Sequence, residues 1–186
     1  MILYGTHFKM NTKNKGFTLI EIILYMSLMA ILLAAFAPFM LQLIKGGEKA
    51  SSGQDVYSTA RYISERIKFE IRNSGGVYTA SSTFNTNLAT TTGAVFSIIG
   101  DSPNNPTIFS VTTSTGILYI SQGTSTAVAL NPSSTIVSNL TFSNYSSVDS
   151  KSKNFGFTLT VKNSSGKGQE YTASTTIVGS AEVRSN

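Results

Sequence analysis

Hydrophobic positions follow three patterns along this chain. From Phe17 to Ile44 they are nearly continuous, with Glu21 the one charged residue among them. From Val56 to Ile71 they thin to a stripe, Val56, Ala60, Ile63, Ile67 and Ile71, at spacings of three and four. From Val77 onward, short β-branched and aromatic runs are separated by Ser, Thr, Asn and Gly. The first run exceeds the roughly 20 apolar residues that a helix rising 1.5 Å per residue needs to span a bilayer core, and predicts one membrane crossing. The stripe predicts an amphipathic helix whose apolar face packs on a sheet. The third pattern predicts antiparallel strands joined by polar turns. The expected fold class is α+β: a long N-terminal helix, half membrane-spanning and half amphipathic, packed on a C-terminal antiparallel β-sheet head.

Four segments follow: a basic leader over 1–16, a membrane helix over 17–45, an amphipathic extension over 46–76 and a β-rich head over 77–186. Lys45-Gly46-Gly47-Glu48 marks the return to water, and two glycines, each about 1 kcal/mol worse than Ala in a helix, predict a hinge or break there. Arg61 with Glu65 and Arg66 with Glu70 are candidate i,i+4 ion pairs on a solvated helix face. Asn73-Ser74-Gly75-Gly76 supplies the glycine expected past a helix end.

In the head, strands are expected at 94–99, 107–112, 117–121, 127–130, 135–145, 155–162 and 170–178, in one antiparallel sheet, with hairpin turns at 112–116 and 163–168. Phe155, Phe157, Leu159 and Val161 alternate with Gly156, Thr158 and Thr160, which gives one strand an apolar and a polar face. The Ser/Thr-rich stretch 79–92 reads as a flexible surface loop.

Charge sets the orientation. Lys9, Lys13 and Lys15 precede the apolar run and no acidic residue occurs before Gly16, so the positive-inside rule keeps the N-terminus cytoplasmic and sends the rest across. A secretory signal peptide would have a shorter core followed by a small-x-small cleavage site. Here Gly16 lies ahead of the core, so a cut there removes the leader and keeps the helix. Glu21 costs about 2.5–3.5 kcal/mol inside a bilayer on insertion scales, and so calls for an explanation. If the chain begins at Phe17, the new ammonium lies one turn from Glu21 on its own helix or beside the Glu21 of a neighbour, and an ion pair in low dielectric offsets part of that cost. The plainer explanation is a carboxylate snorkelling near the membrane face. Pro38 likewise reads either as an ordinary transmembrane kink or as a loosening needed for assembly.

Lys13-Asn14-Lys15-Gly16-Phe17-Thr18-Leu19-Ile20-Glu21 resembles the type IV prepilin family, which includes the pseudopilins of type II secretion. The resemblance covers Lys15 to about Ile44 and implies cleavage by a prepilin peptidase between Gly16 and Phe17, N-methylation of Phe17, and an assembly role for Glu21 as fifth residue of the mature chain. Pro38 falls at mature position twenty-two, where many members carry a proline. Met10 opens a shorter leader, closer to family leaders than one from Met1. The segment from Ala60 to Asn73 is loosely similar to the corresponding helix of minor pilins and of the larger, J-type minor pseudopilin. The family implies other pilin or pseudopilin subunits, an assembly platform with its ATPase, and the membrane as partners. It also implies a final location in an extracellular or envelope filament.

Candidate chemistry is sparse. The chain has no Cys, and its one histidine, His7, lies in the leader, which removes disulfides, thiolate metal sites, the usual general base and Ser-His-Asp catalysis. No enzyme activity and no cofactor is expected. Asp101, Asp149, Glu170 and Glu182 form no glycosidase motif. Asp101-Ser102-Pro103-Asn104-Asn105-Pro106 clusters oxygens as a calcium site would, but a proline-containing turn accounts for the same residues. The net charge of +5 includes three leader lysines, and no basic residue occurs between Arg72 and Lys151, so nucleic acid is an unlikely partner. Three functions stay open: a pilus-like filament subunit of minor or priming type, a secretion pseudopilin, and a non-polymerising anchor that presents an adhesive head.

Overall fold

A computed structural model describes residues 16–149, 152–164 and 172–184. The leader up to Lys15, most of the 163–168 turn and Glu170 lie outside them. The chain divides into two compact units, Met1–Lys45 and Gly46–Asn186.

Helix α1 runs Leu19–Arg72. The break expected at Gly46-Gly47 is absent, because a glycine raises the cost of helix without removing an N–H donor, and the 3.6-residue ladder passes through both positions. Pro38 also lies inside the helix. It has no N–H, so the carbonyl of Ala34 loses its intrahelical donor. In the first unit the side chains from Phe17 to Ile44 are exposed on every face except at the half-buried Glu21.

In the second unit Val56, Ala60, Ile63, Ile67 and Ile71 are wholly buried in one hydrophobic core. Of the expected ion pairs, Arg66–Glu70 forms at 2.7 Å. Arg61–Glu65 does not; Glu65 pairs with Lys68 at 3.1 Å. The helix ends where Ser74 turns its hydroxyl back to donate to the Ile71 carbonyl at 2.7 Å.

Eight strands follow: β1 Gly76–Val77, β2 Val95–Ile99, β3 Thr107–Thr112, β4 Ile117–Gln122, β5 Val128–Ala129, β6 Thr135–Asn144, β7 Asn154–Asn163 and β8 Ser174–Glu182. They form two antiparallel sheets, β1-β2-β3-β4-β5 and β6-β7-β8, where one was expected. The division falls at Asn131-Pro132, where a proline ends pairing. The sheets meet at Gly116, whose carbonyl accepts from the Val137 N–H at 2.8 Å. Gly116 has φ 65°, and a Cβ there would stand 2.9 Å from Cβ of Ile136, so this junction needs glycine twice over. Inside, Phe96 of β2 stacks on Phe142 of β6 with centroids 3.8 Å apart, and Phe84, Phe155 and Phe157 extend the cluster.

Strand β8 begins and ends four residues later than the 170–178 expected. Gly179, just past the expected end, is where a Cβ would stand 2.6 Å from Cζ of Phe157. Its bare backbone lets the strand continue and cover all of β7.

The 79–92 stretch is not a free loop. Leu88 is fully buried, and the N–H groups of Asn85 and Leu88 donate to the carbonyls of Phe142 and Leu140 on β6 at 2.7 and 2.8 Å.

Candidate functional site

Gly16, Phe17 and Thr18 precede α1 in irregular backbone. Nothing lies within 4 Å of the position a Cβ would take on Gly16, and Phe17 is 73% exposed.

That turn has a built start. Thr18 sits at the N-cap, where its carbonyl accepts from the N–H groups of Glu21 and Ile22 at 3.1 and 3.3 Å, and its Oγ1 accepts from the Glu21 N–H at 3.3 Å. Thr18-Leu19-Ile20-Glu21 has the spacing of a capping box, with a hydroxyl at the N-cap and a glutamate three residues on. The carboxylate of Glu21 lies in the first turn, where the positive end of the helix dipole favours an anion. Its Oε1 also accepts from the Tyr25 hydroxyl at 3.4 Å. Sequence reading singled out Glu21 for its charge but missed Thr18 and Tyr25. The signal was available, since Thr-x-x-Glu before an apolar run is a helix-start signature, and Tyr25 lies one turn on.

Beyond this turn, α1 is long and apolar enough to cross a membrane, and none of its most apolar stretch is buried. Pro38 lies inside the same helix, well beyond Gly16, Phe17 and Glu21 in the chain. The five core-facing residues from Val56 to Ile71 belong to the second unit. The candidate residues thus fall into three groups: the Gly16–Glu21 segment with its helix cap, a lone proline, and a packing stripe.

The head offers little to chemistry. Among the described residues no three His, Cys, Asp or Glu side chains group to hold a metal ion. At 101–106 the Asn104 N–H donates to the Asp101 carbonyl and the Thr107 hydroxyl donates to the Asn104 carbonyl, which describes a turn.

Residues 11–37 match the family described as the prokaryotic N-terminal methylation motif. No curated protein and no solved structure matches the chain. The match spans the Gly16–Phe17 bond, the Thr18 cap, Glu21 and most of the exposed apolar helix. Over these residues the chain is similar to the N-terminal segments of type IV prepilins and pseudopilins.

Proposed function

We propose that the chain is a structural subunit of a type IV pilus-like filament, of minor or priming type. It is made as a membrane-anchored precursor with its N-terminus inside, cut by prepilin peptidase after Gly16 and N-methylated at Phe17. It then assembles with other pilins through α1, driven by a membrane platform and its ATPase.

The observation that carries this reading is the methylation motif over 11–37 together with the helix from Leu19 to Ile44, whose apolar side chains are all exposed. An apolar surface of that extent needs lipid or neighbouring helices to cover it. Moving it from lipid into a bundle gains little from hydrophobic transfer, so packing and polar pairing decide the register. Glu21 supplies the pairing, taking the Phe17 ammonium of its own or a neighbouring chain, and Pro38 supplies the place where the helix loosens. The stripe from Val56 to Ile71 holds the head on the helix.

The test is Glu21→Ala in cells that make the filament. Cleavage after Gly16 should proceed, while incorporation into sheared surface filaments falls about tenfold or more, equivalent to about 1.4 kcal/mol of lost pairing. Normal incorporation would sink the assembly role and favour a non-polymerising anchor. The likeness of 60–73 to minor pilins and to the J-type minor pseudopilin alike supports the minor type, and in a second reading the same filament serves secretion. Deleting the gene would then block export of hydrolases and leave surface pili intact.

A further inference from the structure

Strand β8 is the one long sheet edge left open among the described residues. Edges β1 and β5 are two residues each, and the outer edge of β6 is taken by Asn85, Leu88 and Gly116. The hydrogen-bond phase of β8 follows from its ends. The Asn163 N–H donates to the Ala173 carbonyl at 3.0 Å and the Val183 N–H donates to the Lys153 carbonyl at 3.0 Å, so odd-numbered residues face β7. The even-numbered residues Ser174, Thr176, Val178, Ser180 and Glu182 therefore direct their N–H and C=O groups outward, and no described residue meets them. Past the strand, Arg184 keeps the same phase, and its N–H is taken by the Arg72 carbonyl at 3.3 Å. The register against β7 is unbroken over nine pairs, so no bulge twists the edge away. Natural edges are guarded by proline, lysine or bulges, and Ser174–Glu182 has none of these.

We infer that this edge pairs with β8 of a second copy, antiparallel and two-fold about Val178. That register places Val178 opposite itself, Thr176 opposite Ser180 and Ser174 opposite Glu182, and it alone uses all five outward-facing residues. The side chain at its centre is Val178, 76% exposed. It is also complementary in charge. Lys162 lies across β7–β8 from Ser174, so the partner's Glu182 comes to the same sheet face about 10 Å away, two strand spacings, within reach of two extended side chains. Direction limits which copies can meet. The β8 end at Arg184 lies by Arg72, and Gly179 lies by Lys68, so β8 and the helix over 56–72 are in contact near their C-terminal ends. Ser52, Asp55 and Val56 share a cleft with Asn163 and Ser164, at the end of β7 that pairs with the start of β8. The strand and this helical half thus run in the same sense. Antiparallel β8 pairing turns the two helical halves antiparallel, so it joins heads whose chains arrive from opposite directions. Neighbours in one parallel helix bundle cannot use it. The inference does not depend on the filament reading.

The chain lacks cysteine, so single-cysteine variants of the full-length protein in detergent report the pairing directly. In the proposed register Val178→Cys meets its own copy at about 5.5 Å between Cα atoms, inside the disulfide range. Thr176→Cys lies about 13 Å from its own copy but opposite Ser180. Mild oxidation should give dimers from Val178→Cys and from a mixture of Thr176→Cys with Ser180→Cys, but not from Thr176→Cys alone. Lys162→Glu should lower the Val178→Cys dimer yield about two- to fivefold, the summed effect of the two symmetry-related charge pairs, and adding Glu182→Lys should restore it. Monomeric Val178→Cys with circular dichroism unchanged would overturn the proposal. Dimers of Thr176→Cys formed as readily as those of Val178→Cys would do the same.

Discussion

At the residue scale, three short polar side chains hold parts of the molecule that hydrophobic patterning does not reach. Thr18 fixes where α1 begins and presents Glu21 in the first turn, so the residue read as an assembly carboxylate also belongs to the helix cap. Asn131 joins the two sheets. Its Oδ1 accepts from the Leu118 N–H at 2.8 Å, and its Nδ2 donates to the Thr135 carbonyl at 2.7 Å. Asn87 acts in the same way at the bulge of β6, where it donates to the Ser138 carbonyl at 3.1 Å and accepts from the Leu140 N–H at 3.0 Å. Asn131→Ala leaves a buried N–H and a carbonyl without partners, at about 1–3 kcal/mol each. Denaturant unfolding of the head should show a loss of about 2 kcal/mol or more, and an unchanged midpoint would contradict this role. Neither asparagine was legible in the sequence, because an asparagine that bridges two segments has the same local signature as one in a turn.

At the element scale, periodicity carried most of the information. The stripe at Val56, Ala60, Ile63, Ile67 and Ile71 was readable because a helix that packs on a sheet must repeat its apolar residues every three or four positions, and all five are buried. Tyr62 and Phe69 lie on the opposite face, each more than half exposed. Ile67→Ala should therefore cost about 2–5 kcal/mol. Tyr62→Ala should stay within about 0.5 kcal/mol of the native protein. Thermal unfolding of the two variants side by side checks the contrast, and equal losses would contradict the assigned face. Alternation in β7 was equally clear. Element ends were less legible: α1 runs through Gly46-Gly47, where a hinge or break was expected, and β8 runs through Gly179 to Glu182, past the expected end at 178. Local propensity gives glycine a cost of about 1 kcal/mol, and ladder hydrogen bonds or a close aromatic neighbour outweigh it. The 79–92 stretch was misread for the opposite reason, since its polar composition hid two anchors, Phe84 and Leu88, that fasten it to the core.

At the scale of the whole molecule, the chain combines an apolar helix with no covering of its own and a β head that buries its core without disulfides. The division into two sheets was not legible, because it depends on the Asn131-Pro132 junction and on Gly116 meeting Val137 across 21 residues of sequence. The methylation motif was legible, since a motif on one linear segment carries its signal locally. Everything proposed about assembly rests on that segment being cut and kept. The measurement that tests it most directly is intact mass with N-terminal sequencing of the protein from its native membranes. A chain that begins at Phe17 and carries the added mass of one methyl group is the predicted result. A chain that retains its leader, in cells with an active prepilin peptidase, would contradict the account.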